Sequence, residues 1–256
     1  MKIIDFHTHP GPKSILTEEF HFPPITSQTF VNELKRAGIS MACGSTFEVS
    51  LLSVRDSAYG IQEMNRIAWS YHEDFPDFFI PGLQVDPRFM EESKNELETY
   101  AQKGAKLVGE LVPGWQGYEN MLNDGFYELF DVMQSLDLVL SFHRPGNIFD
   151  CEEIAKRFPK LKIVIAHPFY GKDYLNVLGL VKTYENLHLD LSGSGLMAYG
   201  MVRYGLDTVG KDKILFGTDF PGYNPQMYVS AVAYEKLTDA ELEAVYHENA
   251  ERLLGL

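Results

Sequence analysis

Cysteine is nearly missing from this chain: 256 residues hold only Cys43 and Cys151, far apart in the sequence. With no C-x-x-C pair there is no disulfide framework and no thiol redox motif. The pattern fits a reducing cytoplasm in which both thiols pack as small apolar groups. Positive charge is also scarce, with 22 Lys and Arg against 36 Asp and Glu and a net charge of −14. A surface this acidic repels phosphate backbones and anionic lipid, which argues against a nucleic-acid platform or a membrane partner. A small anionic substrate stays compatible, because a bound cation reverses the local field. No apolar stretch reaches 18 residues, so no transmembrane helix is expected. The first Met runs into a strand without a basic n-region or an apolar h-region, so no signal peptide is expected and a cytoplasmic location is. Low-complexity tracts and composition shifts are lacking too, and a single domain over residues 1–256 is the expectation.

What is present is alternation. Eight β-rich runs recur: Lys2–His7, Met41–Thr46, Phe79–Val85, Lys106–Leu111, Leu138–His143, Lys162–His167, Leu187–Leu191 and Ile214–Thr218. Amphipathic segments lie between them at Ser27–Ala37, Ala58–Asp74, Met90–Gln102, Gly125–Ser135, Cys151–Arg157, Lys172–Tyr184 and Leu196–Val209. A last helix is predicted over Thr238–Leu254, opened by the capping box Thr238-Asp239-Ala240-Glu241. Alternating β and α implies a parallel sheet. Eight units in this length fit a (β/α)₈ TIM barrel, with an open doubly wound sheet as the competitor. The longest non-helical insertion, Pro10–Ile25, leaves the end of the first strand, where barrel active sites are built.

The strand ends carry the chemistry. The first run closes on His7-Thr8-His9, and side chains two apart on a strand share a face. An isolated H-x-H also occurs at fraying strand ends, so the pair alone decides little. The other ends supply Glu110, His143, His167 and Asp219. In a barrel all of these ends meet at one rim, where four imidazoles and two carboxylates suit Zn²⁺ or a related divalent ion. Blander readings exist for each: His143 and His167 as satisfied rim residues, Glu110 as a loop carboxylate, Asp219 as a turn residue before Pro221. Joint placement at five strand ends favours ligands, because barrel core positions are normally Val, Ile or Leu. His188, near the start of the seventh strand, reads as structural. His72 and His247 read as solvated, and His21 as a loop residue that could reach the site.

These motifs resemble the amidohydrolase superfamily of metal-dependent hydrolases, and most of all its amidohydrolase 2 branch, which includes decarboxylases of aromatic and unsaturated acids. The likeness spans the chain. It rests on Ile4-Asp5-Phe6-His7-Thr8-His9, Val164-Ile165-Ala166-His167-Pro168, Leu189-Asp190-Leu191-Ser192-Gly193, Leu215-Phe216-Gly217-Thr218-Asp219-Phe220-Pro221 and Glu248-Asn249-Ala250-Glu251-Arg252-Leu253-Leu254. The resemblance implies that His7, His9 and Asp219 hold a buried metal and that Asp219 accepts the proton of the attacking water. It implies a ligand role for His143. For His167 it implies a ligand of a second metal or a catalytic group contacting substrate. Glu110 departs from many branch members and resembles the bridging carboxylate of two-metal relatives such as the TatD-like hydrolases.

The expected activity is metal-dependent hydrolysis of an amide, ester or phosphoester bond of a small substrate by a metal-activated water, with one or two ions, zinc first among candidates. The alternative is a metal-dependent, non-oxidative decarboxylase. Arg144, Trp115 and Tyr170 are the candidate substrate-binding residues on the rim. Arg144 could instead pair with an acidic neighbour, because strand alternation aims it off the barrel axis. Asp190, Ser192 and Asp5 are candidate partners for imidazole N–H groups. Self-association into a homo-oligomer stays open.

Overall fold

A computed structural model describes residues 1–12, 24–118, 120–144, 147–196 and 198–256. The predicted site-loop residue His21 lies outside the described residues, as does the stretch 13–23 around it. Eight strands run in sequence order: β1 Ile4–Thr8, β2 Met41–Gly44, β3 Phe79–Leu83, β4 Leu107–Leu111, β5 Val139–His143, β6 Lys162–Ala166, β7 Leu187–Asp190 and β8 Ile214–Leu215. Every neighbouring pair is parallel. The segment after β8 closes the ring onto β1: Phe6 N donates to Phe216 O, Asp219 N to His7 O and His9 N to Phe220 O, at 2.7–2.9 Å. The predicted (β/α)₈ TIM barrel is therefore the fold, and the open sheet is not.

The connecting helices are α1 Ser27–Arg36, α2 Tyr59–Asp74, α3 Met90–Gln102, α4 Asp124–Ser135, α5 Phe149–Arg157, α6 Lys172–Thr183, α7 Met201–Val209 and α8 Pro225–Tyr234. Their starts carry the side chains that orphan helix N–H groups need. Thr26 accepts from Thr29 N, Asn123 from Phe126 N, and Asn224 from Gln226 N with Pro225 in the first turn. The C-terminal run begins on the predicted capping box, with Thr238 and Glu241 bonding reciprocally. It passes through a π-turn at Ala244–Glu248 before ending at Leu254.

Three of the differences from the sequence-based expectation have a plain physical reason. Helix α8 was not predicted, because its apolar residues do not form one stripe: Pro225, Tyr228 and Val232 are buried, whereas Met227 and Tyr234 face solvent. Helix α7 starts at Met201 and not at Leu196, after Gly193, Gly195 and Gly200 take positive φ. Strand β8 ends at Leu215, since Phe216 N turns to Val245 O.

Strand alternation separates two layers. Val108, Leu140, Phe142, Ile163, Ile165, Leu187 and Leu189 point outward into the core shared with the helices. Burying each such side chain contributes ~1.5–3 kcal/mol. Inside the barrel, Ile4, Phe6, Cys43, Leu107, Val139, Val164 and Leu215 pack on Ala250, Leu253 and Leu254 of the C-terminal helix. That apolar plug fills the lower barrel, and the polar side chains of the strand ends sit above it. Among the described residues, no helix is long and apolar enough to cross a membrane.

Candidate metal centre

The structure brings His7, His9, Glu110, His143, His167 and Asp219 to one point at the C-terminal mouth of the barrel. His7 and His9 face their Nε2 atoms at 3.1 Å. Asp219 Oδ1 lies 3.1 Å from His9 Nε2 and 3.9 Å from His7 Nε2. Glu110 Oε2 lies 3.3 Å from His7 Nε2 and 3.6 Å from His9 Nε2. The other carboxylate oxygen, Oε1, lies 2.9 Å from His143 Nδ1 and 3.3 Å from His167 Nε2. One carboxylate thus spans two imidazole pairs with one oxygen on each. All six residues are buried except His143, which is partly exposed.

The outer hydrogen bonds fix the tautomers. His9 Nδ1 donates to the Ser45 carbonyl at 2.9 Å, and a carbonyl only accepts. His7 Nδ1 donates to Asp190 Oδ2 at 2.8 Å. Ser192 donates its hydroxyl hydrogen to Asp190, so its oxygen accepts from His167 Nδ1 at 3.0 Å. Each of these rings therefore turns an Nε2 lone pair inward. Those three lone pairs converge with both Glu110 oxygens and an Asp219 oxygen, giving six acceptors facing one another. Such a set repels itself without a cation among it, and N/O donors of this kind match a divalent ion.

The electrostatics agree. Burial would push the His7 imidazole down, but the Asp190 and Glu110 carboxylates override it and hold its pKa well above the usual histidine range. Burial opposes ionisation of Glu110, yet His7 and His167 keep its carboxyl well below the usual carboxylate range. His167 is raised by Glu110 against its own burial. In each case a buried neighbour of opposite charge outweighs the cost of burial.

The surrounding candidates behave differently from one another. Asp190 and Ser192 meet imidazole N–H groups. Asp5 does not: it accepts from His7 N, Thr218 N and the Thr218 hydroxyl, at 3.2, 2.9 and 2.6 Å. Burial pushes it up to about 7 against those bonds. It thereby fixes the backbone that presents His7 and Asp219. Gly193, with φ of +62°, lies against the His167 ring, where an added Cβ would stand 2.3 Å from Nδ1.

At the rim, Trp115 packs edge-on against Phe47 at 5.5 Å, and Phe47 against the His9 ring at 5.0 Å. Phe169 touches the His143 and His167 rings, each at 5.9 Å. Arg144 leans off the axis and stacks on Phe169 at 4.5 Å, with an ion pair to Asp173 at 3.3 Å. Its Nε is buried without a hydrogen-bond partner. Tyr170 is exposed on the loop after β6. His188 sits inside the barrel, paired in register with Val164 below the six. Sequence reasoning missed Phe47, Ser45 and Gln84. The last has a visible signal, a polar residue inside the buried run Leu83-Gln84-Val85.

Solved structures share this architecture. A dihydroxybenzoic acid decarboxylase from Polaromonas sp. JS666, with bound manganese and the inhibitor 2-nitroresorcinol, superposes with a TM-score of 0.77 at 15% identity, over 100% of this chain and 97% of that one. A 2,6-dihydroxybenzoate decarboxylase from Rhizobium gives 0.75 at 15% identity, over 100% and 99%. An uncharacterised TIM-barrel protein from Bordetella bronchiseptica gives 0.75 at 18% identity, over 100% and 99%. At these identities the likeness is one of fold. No curated protein sequence matches the chain. The family model described as amidohydrolase matches residues 4–256, and with the barrel and its rim of imidazoles and carboxylates already in place, the chain belongs to the amidohydrolase family.

Proposed function

We propose that the protein is a hydrolase that cleaves an amide, ester or phosphoester bond of a small substrate with two divalent ions. The observation that carries this reading is Glu110, which offers Oε2 to the His7–His9 pair and Oε1 to the His143–His167 pair. His7, His9 and Asp219 would hold one ion, His143 and His167 the other, and Glu110 both. Zinc binds such N/O sets more tightly than manganese does. Ions held there would supply Lewis acidity and lower the pKa of water from ~16 towards ~7.

The chain's own residues do the rest. Asp219 is the acid–base group. Its carboxylate faces the cluster beside His9, accepts a proton from the attacking water at Oδ, and returns it to the leaving group. Asp5 and Thr218 hold the turn that aims it. Asp190 and Ser192 keep the His7 and His167 rings from rotating. Phe47 and Trp115 on one side, and Phe169 on the other, shield the cluster, and Trp115 and Phe169 offer flat surfaces to substrate. Arg144 and Tyr170 would contact the substrate at the open rim, with the guanidinium of Arg144 turned to an anionic group.

The lyase reading draws on the aromatic-acid decarboxylases among the structural neighbours and on the aromatic walls of the mouth. It needs one ion that grips a substrate carboxylate, with Asp219 or His167 handling the proton. Metal stoichiometry separates the two. The hydrolase reading expects close to two ions per chain, dropping towards one in Glu110→Gln. One ion in both proteins, together with carbon dioxide release from an aromatic acid, would replace it with the lyase.

A further inference from the structure

Glu110 should not face the metal centre at all if β4 were regular. Val108 points outward into the helix-facing core, and alternation would send Glu110 the same way. Leu111 also points outward, and the β4–β5 register shifts between Val108 and Leu111. The strand therefore carries an irregularity at Gly109-Glu110 that re-aims one side chain. Gly109 makes room for it: φ is +90°, and a Cβ there would stand 2.0 Å from Ser141 O. On the other edge, β3–β4 pairing covers only Gly82–Leu107 and Leu83–Val108. The carbonyl of Glu110 is left without a ladder partner.

Side chains fill that gap. Gln84 Nε2 donates to Glu110 O at 3.0 Å, and Ser45 Oγ donates to the same oxygen at 3.3 Å. The second Gln84 N–H goes to Ser45 Oγ at 2.9 Å. Gln84 Oε1 accepts from Gln116 Nε2 at 2.7 Å. Gln116 Oε1 in turn accepts from Val112 N at 2.7 Å and from the Tyr118 hydroxyl at 2.6 Å. The Gln84 backbone is clamped as well, by Asn65 at 2.6 and 3.1 Å. Every donor and acceptor of the Gln84 amide is thus committed in one sense, and the residue is fully buried. An amide held this way cannot flip without leaving a buried polar group unpaired.

We propose that Gln84 is a positioning residue for the metal bridge. Its amide stands in for the missing sheet hydrogen bond at Glu110 and holds that carboxylate between the two imidazole pairs. The inference rests on the two-ion reading. Its consequence is selective: losing Gln84 should weaken the second ion and spare the first, because His7, His9 and Asp219 are anchored by Asp190, Ser45 O and Asp5 instead.

The test titrates Co²⁺ into the chelator-stripped full chain. Wild type should take up two ions. Gln84→Met keeps the volume and removes the donors; it should bind the first ion as wild type does and the second ~10–100-fold more weakly. In a Glu110→Gln background the same change should have no further effect. Ser45→Ala retains the carbonyl that holds His9 and removes one donor. It should show the same selectivity to a smaller degree, which keeps the test alive if Gln84→Met does not fold. Two ions bound by Gln84→Met as tightly as by wild type would overturn the positioning role while leaving the two-ion reading standing. Equal weakening of both ions would reduce Gln84 to a general support. One ion in wild type would overturn the two-ion reading, and this inference with it.

Discussion

His7 and His188 are both buried inside the same barrel, and their surroundings drive their ionisation in opposite directions. His7 lies at the C-terminal mouth, where Asp190 and Glu110 raise it against its burial. His188 lies on β7, two residues before Asp190 and one layer lower, paired in register with Val164. There burial, reinforced by Lys213 and Arg252, pushes it down to about 4. Backbone hydrogen bonds with Ile163 and Asn186 pull the other way and do not offset it. One strand thus carries a carboxylate that serves the candidate metal centre and an imidazole that serves the floor. Solvent exposure barely differs between the two histidines, at 3% and 6%, so the sign of the neighbouring charge separates them.

The largest effect is expected at the mouth. If Asp219 is the acid–base group, Asp219→Asn should lower turnover by ~10²–10⁴-fold on whatever substrate a hydrolytic panel reveals. Unchanged turnover would remove the catalytic meaning of the carboxylate-rich end.

Next comes the floor. An unfolded histidine takes up its proton near pH 6.5, whereas folded His188 does so only near 4. Between those values the unfolded chain binds more protons, so this residue's contribution to stability is present above pH 6.5 and is lost as pH falls towards 4. The loss amounts to roughly 3 kcal/mol if the whole difference is realised. Asp5, with its raised pKa, titrates with the opposite sign in an overlapping window. The check is therefore a difference: urea unfolding of wild type and His188→Met from pH 4 to 8, with the variant losing less on acidification. Parallel curves would show that His188 is not held neutral.

A smaller change is expected from Asp190→Asn, which keeps the shape but removes the charge that orients His7. Metal affinity should fall ~10–100-fold with the ion count unchanged. A lost ion would mean that Asp190 belongs among the ligands, which its 2.8 Å bond to the outer nitrogen of His7 argues against.

The two regions also differ in how far the sequence reveals them. Alternating elements and strand-end residues placed His7, His9, His143, His167 and Asp219 on one rim, because a parallel barrel brings the C-terminal end of every strand to one face. Asp190 and Ser192 were legible as candidate imidazole partners on the seventh strand. Glu110 was read at the same rim from its strand end, but the way it turns inward was not: simple alternation points it outward, and its inward turn depends on a register shift, on Gly109, and on Gln84 and Ser45 from two other strand ends. No local pattern encodes a hydrogen bond between residues 26 apart. His188 was legible as structural from its place at the start of its strand. The cations that set its ionisation come from the turn before β8 and from the C-terminal helix, so their effect was not. Helix α8 escaped because it packs without a single apolar stripe.

The smallest effect is the most direct probe of the contrast. Burial comes first among the causes that lower His188, Lys213 second, and Arg252, an exposed residue that also donates to Asp212 O, third. Arg252→Gln should raise the His188 pKa, but by less than burial has lowered it, since desolvation is untouched. Titration of the His188 ring proton by NMR reads this directly. A rise confirms that the floor is tuned by positive charge as the mouth is by negative charge. No movement would leave burial and Lys213 to hold His188 neutral, and the tuning of the floor by charge would then rest on the turn before β8 alone.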